Sequence, residues 1–562
     1  MTRSLFLTAA SLLALAATPV VAQVVGEDVT PYGAGYDAPP GDLPAASPAS
    51  ESGRRAAPPR AEILPYVELN QLLIQELEPT SETLTYTTVV AGVDAAIRTR
   101  RVEAQASVRY EHQFGYDEGV ADSDNLSGIV RAAATIGGGL SVEAGALAAQ
   151  QGLGTINSTG DDARGETLTT YSVYGGPSFE KQLGAVTLGA AYRIGYSKVD
   201  ADEGFDGNFG VGGFDDSVSQ AASVSAGVQP GPLPVGLSAV AGWNREDAGL
   251  LDQRLDNKYV RGDVTVPITP ALAAVGGIGY EDIEISERDA LRDAGGVPIV
   301  DEDGRFVTDE ASPRLLSYDQ EGLIWDVGVL WRPSRRTSLE ARVGERYGST
   351  TYYGSFSWQP REETSVGIAV FDTVTGYGDY LTQKLSALPT SFRAVRNPLT
   401  GNLSPCVGAT GGGLCLDDIL GAADGAAFRA RGVSASFSTV LGRWNTGAAL
   451  GYTRREILAS RLGANSLIAG SEDESWYGSL TASRDLDERS SLQTNIFASY
   501  YDPALDLFGD TLALGANASY GRQLWRGLSA NAALGIDHQH TYDDSDFSET
   551  SASALLGLRY DF

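Results

Sequence analysis

The sequence predicts an all-β chain folded as a transmembrane antiparallel β-barrel of about 22 strands, with a disordered N-terminal segment ahead of it. Three observations predict it: an export signal at the start, an alternation of apolar and polar side chains sustained from Ile63 to Phe562, and links between the alternating segments that are short and long in turn.

The first of these fixes the compartment. Arg3 precedes an apolar run from Leu5 to Ala17, and the small residues Val20 and Ala22 follow. The run is too short for a stable membrane helix and ends in a cleavage-type site, so residues 1–22 read as a signal peptide cut after Ala22. Gln23, which becomes the first residue, is not the cysteine that an acylated lipoprotein requires. Residues 23–60 carry Pro31, Pro39, Pro40, Pro44, Pro48, Pro58 and Pro59 among Gly, Ala and Ser and read as a flexible periplasmic linker. The barrel is expected over 61–562, in the outer membrane of a Gram-negative-type cell.

Composition excludes a helical membrane protein. Hydrophobic residues make up 42% and mean hydropathy is -0.12. Beyond the signal no stretch approaches the ~20 continuous apolar residues of a spanning helix. A barrel hides its hydrophobicity by alternating lipid-facing and lumen-facing residues, so only counting in steps of two reveals it. The last segment alternates Ala552, Ala554, Leu556, Leu558, Tyr560 and Phe562 with Ser551, Ser553, Gly557, Arg559 and Asp561. Val102 to Glu111, Val186 to Gly195, Leu323 to Arg332 and Leu528 to Asp537 repeat the scheme. A soluble sandwich rarely sustains such a pattern in one domain of this length.

The links give the orientation. Short ones fall at 99–101, 137–139, 182–184, 269–270, 333–336, 361–363, 443–445, 487–489 and 525–527; longer ones at 115–124, 152–165, 200–217, 287–318, 377–425, 459–473 and 543–549. Outer-membrane barrels turn tightly on the periplasmic side and carry their long loops outside. Trp331, Trp444 and Trp525 stand beside short turns, as an aromatic girdle at the periplasmic interface does. Tyr560 and Phe562 end the chain in a pattern that resembles the C-terminal signal read by the barrel assembly machinery, an expected partner during biogenesis.

Parity assigns side chains to the lumen. Glu103, Arg109, Glu111, Glu143, Arg193, Asp326, Arg332, Glu340, Arg342, Asp537 and Arg559 point inward, both as a hydrophilic pore lining whose charge biases what crosses and as a lattice of cross-strand salt bridges that stiffens the wall. Cys406 and Cys415 sit in the longest outer loop, and in an oxidising compartment they are expected to form a disulfide. The formal net charge of -31 excludes nucleic acid as a natural partner. Asp200, Asp202, Glu203, Asp206, Asp301, Glu302, Asp303, Asp543, Asp544 and Asp546 concentrate acid in outer loops, read as solvated or as bridged by divalent ions to lipopolysaccharide phosphates. Outer-membrane lipid and lipopolysaccharide are therefore the expected surroundings. No cofactor and no resident metal is expected. Catalysis is disfavoured: His112, His538 and His540 are the histidines available, and parity turns His538 and His540 toward lipid with no serine nucleophile motif beside them.

Residues 61–71 (Ala61-Glu62-Ile63-Leu64-Pro65-Tyr66-Val67-Glu68-Leu69-Asn70-Gln71) and 84–94 (Leu84-Thr85-Tyr86-Thr87-Thr88-Val89-Val90-Ala91-Gly92-Val93-Asp94) resemble the opening of outer-membrane barrels associated with exopolysaccharide (PEP-CTERM or Eps-type) export loci. That resemblance implies a role in polysaccharide secretion or surface assembly. With no plug domain found ahead of the barrel, a TonB-dependent receptor is disfavoured. The expectation is a passive hydrophilic conduit with polysaccharide as cargo, the alternatives being a general diffusion porin and a non-conducting surface scaffold or adhesin. The loop 377–425 separates the first two, since folded inward it constricts the lumen and a polysaccharide exit needs that lumen clear.

Overall fold

The alternating segments pair in sequence order, each antiparallel to the next, from Arg60–Glu78 through to Phe547–Asp561. The first strand then pairs antiparallel with the last, Tyr66 opposite Asp561 and Leu69 opposite Leu558, which closes a ring of 22 strands. An even number lets neighbours alternate direction all the way round and brings both ends of the barrel to one rim. The computed structural model describes residues 60–562 apart from 80, 117–119, 121, 153–166, 202–212, 232, 302–303, 362, 391, 404–405, 410–411, 416–426, 506–508 and 543–546. The expected signal peptide and linker, and the acidic residues of loops 202–206, 302–303 and 543–546, lie outside the described residues.

The period-two pattern sorts as expected. In the last strand Leu556 and Leu558 are exposed on the outer wall while Ser551, Ser553, Leu555 and Gly557 turn inward and are buried. Leu323, Leu450 and Leu534 are each more than 60% exposed, which in a barrel marks the lipid-facing band and not a failure of packing. Tight turns and both ends of the barrel share one rim. The long links share the other, together with three short ones the sequence did not separate, 79–82, 249–253 and Tyr347-Gly348.

The longest link, 376–427, is the one that matters for function. It holds a helix, Tyr377–Ala387, and a small three-stranded sheet of Phe392–Arg393, Cys406–Ala409 and Gly412–Cys415. The helix starts at an extended Gly376 and ends where Leu388 precedes Pro389, a position proline biases away from helical geometry. Tyr377, Tyr380, Leu381, Lys384 and Leu385 are all buried, so the helix has no solvated face and belongs inside the barrel. Cys406 and Cys415 face each other in the backbone register of the small sheet; their side chains lie outside the described residues.

Candidate functional site: a lumen crossed by an outer loop

Segment 376–427 leaves the 15th strand of the ring, Thr364–Thr375, and returns to the 16th, Phe428–Leu441, with Thr375 and Phe428 paired at the outer rim. The fourth strand, Ser123–Gly137, lies 11 strands from the 15th, half of the 22-strand ring. The segment nevertheless touches it, so it crosses the lumen from wall to wall.

Its path can be followed contact by contact. At the outer end the Glu246 carboxylate, on strand Gly236–Ala248, accepts the backbone N–H groups of Gly378 at 3.0 Å and Asp379 at 2.9 Å. Those are orphan donors of the helix N-terminus, and a carboxylate is the group a helix start favours. Tyr377 packs on Phe214 with ring centroids 4.4 Å apart, and Thr382 meets Ser219 at 3.3 Å. A side chain at Gly195 would collide with Thr382, so that glycine clears the wall for the helix. At the other end Arg131, on the fourth strand, donates to the carbonyls of Leu388 at 3.2 Å and Ser386 at 3.1 Å, which supplies the orphan acceptors of the helix C-terminus.

The chain then dips to its lowest point. Thr390 donates to Glu103 at 2.7 Å, and Glu103 is the second residue of strand Val102–Gly115, next to the periplasmic turn 99–101. An outer loop has thus reached the opposite rim. From there it climbs again: Arg396 donates to Ser127 Oγ at 2.7 Å, Asn125 meets Asn402 at 3.0 Å near the outer rim, and Leu399 packs among Leu72, Leu84, Tyr86 and Leu555. Gly401 turns with φ +74, and a Cβ there would lie 2.7 Å from Arg109 Nε. The exit is tied down where Ala427 N–H donates to Gln253 at 2.6 Å.

The eleven residues expected in the lumen group into clusters. Glu143 accepts from Arg131 at 2.6 Å and from Arg193 at 2.7 Å, both guanidiniums lying against the Tyr174 ring. Arg109 pairs with Glu111 at 2.6 Å and with Glu68, whose other oxygen meets Arg559 at 3.2 Å; Arg559 also holds Asp94 and Asp561. On the far wall Arg342 lies between Asp326 at 3.1 Å and Asp263 at 3.2 Å, with Glu340 at 2.8 Å, Arg261 and Tyr353 completing the cluster. Arg332 acts electrostatically on Glu340 from the periplasmic end, and Asp537 lies over Gly515. Most of these charges meet an opposite charge on the same strand or on one nearby.

Sequence reasoning missed Glu246, Asp379 and Arg131. Counting in steps of two puts Glu246 and Arg131 inward, but nothing local says that an outer loop comes down to meet them. Asp379 carries the most perturbed environment of the segment. Burial, the nearby Glu246 carboxylate and only partial compensation from Thr375, Arg193 and Gln383 push its carboxyl up to about 7. The histidines face outward: His538 meets Thr550 at 2.9 Å and His112 meets Asp124 at 2.7 Å on the outer wall.

No family model and no curated protein matches the chain. Among solved structures it is similar to the ferric-catecholate import receptor Fiu of E. coli K12 in its open form, at 11% identity over 88% of this chain and 81% of that one, with a TM-score of 0.43. The FrpB iron transporter of Neisseria meningitidis is similar at 10% identity over 89% and 81%, with a TM-score of 0.43. The copper transporter OprC is similar at 10% over 91% and 81%, with a TM-score of 0.40. At such identities the likeness is one of fold. The chain is an integral β-barrel of the outer membrane.

The expected passive hydrophilic conduit is overturned. The described residues of segment 376–427 cross the lumen from wall to wall, with Arg131 on the carbonyl of Leu388 and Thr390 on Glu103 near the periplasmic rim, where a passive conduit needs the lumen clear. The exopolysaccharide cargo goes with it, since that exit needs the lumen clear, and no observation favours the general porin or the surface scaffold. The argument against a receptor, that nothing ahead of the barrel fills the lumen, also loses its ground, because the filling comes from an outer loop.

Proposed function

We propose that this protein is a gated importer of the outer membrane, closed at rest by its own segment 376–427 and opened when a solute arriving from outside displaces that segment. The observation that carries this reading is the contact of Thr390 with Glu103, which takes an outer loop to the periplasmic rim. Barrels of 22 strands are wide enough to need a filled lumen, whereas 16 to 18 strands leave a water channel. Import follows from the anchoring: both ends of the gate lie at the outer rim, where an external ligand meets them first.

The reading is tested by locking the gate. A Thr390→Cys/Glu103→Cys pair joins the lowest point of the segment to the wall. In proteoliposomes loaded with a self-quenched polar dye, the wild-type protein is expected to release dye on addition of a solute it recognises from culture medium. The oxidised double variant should stay closed and recover on reduction. Release unchanged by the lock would show that solute does not pass where the segment lies.

A further inference from the structure

The arginines of this chain fall into two populations. Most of those in the lumen have carboxylate partners, as described above, although Arg396 is held by Ser127 and Gly401. At the periplasmic rim Arg98 pairs with Glu103, but the arginines of the tight turns have no such partner. Five tight turns there, 99–101, 335–336, 442–443, 488–489 and 526–527, carry seven arginines against the acid Glu488, with Asp485 and Asp487 at the strand end beside it and Arg522 acting electrostatically on Asp487. Over the whole chain 72 acids outnumber 41 bases. No described carboxylate is ion-paired with any of these seven, nor with Arg484 or Arg522 at the adjoining strand ends.

Five of these basic residues are contiguous. Arg443, Arg484, Arg489, Arg522 and Arg526 follow one another around the rim between strands Trp444–Ile457 and Leu528–Tyr542. Arg484 and Arg522 sit on the lipid-facing side of their strands, in step with the exposed Leu480 and Leu524. Arg484 lies over the ring of its register partner Trp444, 5.4 Å from the centroid, and its Nε has no hydrogen-bond partner. Trp525, 68% exposed, stands beside Arg526. Tryptophan marks the depth of the headgroups, so Arg484 and Arg522 lie at the level of lipid phosphates on the lipid-facing side, with Arg443, Arg489 and Arg526 in the turns beside them.

We propose that this sector of the rim is a binding surface for anionic phospholipid headgroups of the periplasmic leaflet. A guanidinium offers a phosphate two parallel N–H donors and stacks on an aromatic ring at the same time, which is the arrangement at Arg484. Clustered basic residues at a membrane surface each favour anionic lipid, by roughly fivefold per residue. Bound lipid would fix the depth and tilt of the barrel on this side.

The test uses the full chain in phosphatidylcholine vesicles, with brominated phosphatidylglycerol or brominated phosphatidylcholine as quencher of tryptophan fluorescence. The wild type is expected to prefer phosphatidylglycerol by about fivefold or more, and to lose that preference in 0.5 M salt. A variant with Arg443, Arg484, Arg489, Arg522 and Arg526 all changed to Gln should show a ratio near one, while the five Lys replacements keep most of the preference. Equal ratios in the wild type and the Gln variant overturn the proposal. If the Gln variant does not fold, a wild-type preference that salt leaves untouched overturns it as well. Binding of soluble polyglutamate that the Gln variant loses, with the lipid ratio near one throughout, assigns the surface to a periplasmic polyanion and also overturns it.

Discussion

Asp379 is the residue where the closed state is most sensitive to conditions. Its carboxyl is pushed up from 3.8 to about 7 while the segment is packed, and returns to its ordinary value when the segment is displaced into water. A raised acid holds its proton in the packed state, so packing is unpenalised below pH 3.8 and progressively opposed as pH rises toward about 7, each unit contributing about 1.4 kcal/mol. The gate should therefore loosen as pH rises from about 4 to about 7 and change little above that. Protease nicking within 376–427 is expected to quicken over that range in the wild type and to become insensitive to pH in Asp379→Asn; a wild-type rate flat across the range would contradict the assignment. Glu246→Ala acts at the same place by a different route. It orphans the N–H groups of Gly378 and Asp379, at about 1–3 kcal/mol, and should quicken nicking at every pH.

On the far wall Arg342 is held by Asp263 and Asp326 with all three side chains almost fully buried. Arg342→Ala strands two carboxylates and is expected to destabilise the barrel by about 3–5 kcal/mol, read as a lower denaturant midpoint. A midpoint unchanged from wild type would mean that water reaches the cluster.

Among elements, the strands were legible and the gate was not. Strand faces depend on a local rule, alternation, and Leu528 to Asp537 or Ala552 to Phe562 obey it residue by residue. The charged lumen residues could be placed by the same rule, and Glu143 and Arg342 stand where parity put them. The outer loop 377–425 gave no such signal. Its helix has buried residues on every side, because it is packed between two walls, and its polar contacts to the wall reach far in sequence, 132 positions from Gly378 to Glu246 and 287 from Thr390 to Glu103. No local pattern carries that information. The small turn Tyr347-Gly348 was missed for a related reason: it needs φ of +57 and +68 in two residues rather than a run of loop-forming ones. At the seam, Phe562 donates its N–H to Pro65 at 3.1 Å and turns its ring against Tyr560 on the outer wall. Phe562→Ser is expected to lower the amount of assembled barrel in cells several-fold while leaving refolding in detergent unaffected, the outcome a biogenesis signal predicts and a purely packing role does not.

For the molecule as a whole, charge is ordered by height and by side. Acid dominates the chain, matched pairs fill the inner wall, and unpaired arginines collect at the periplasmic rim. Composition alone reported the net charge and excluded nucleic acid, but it could not show that most lumen charges are paired, since pairing depends on which strands become neighbours. A largely paired inner wall gives little preference for one sign of charge, and under the proposed function control of passage falls to the segment that occupies the lumen.

That control is tested most directly by removing the segment. Thr375 and Phe428 are register partners, so residues 376–427 can be replaced by an Asn-Gly turn that continues the hairpin without disturbing the wall. In planar bilayers the wild-type protein should be nearly silent, and the hairpin variant should show steady ohmic conductance. Equal conductance from the two folded barrels would contradict the account, because the lumen would then be open with the segment in place.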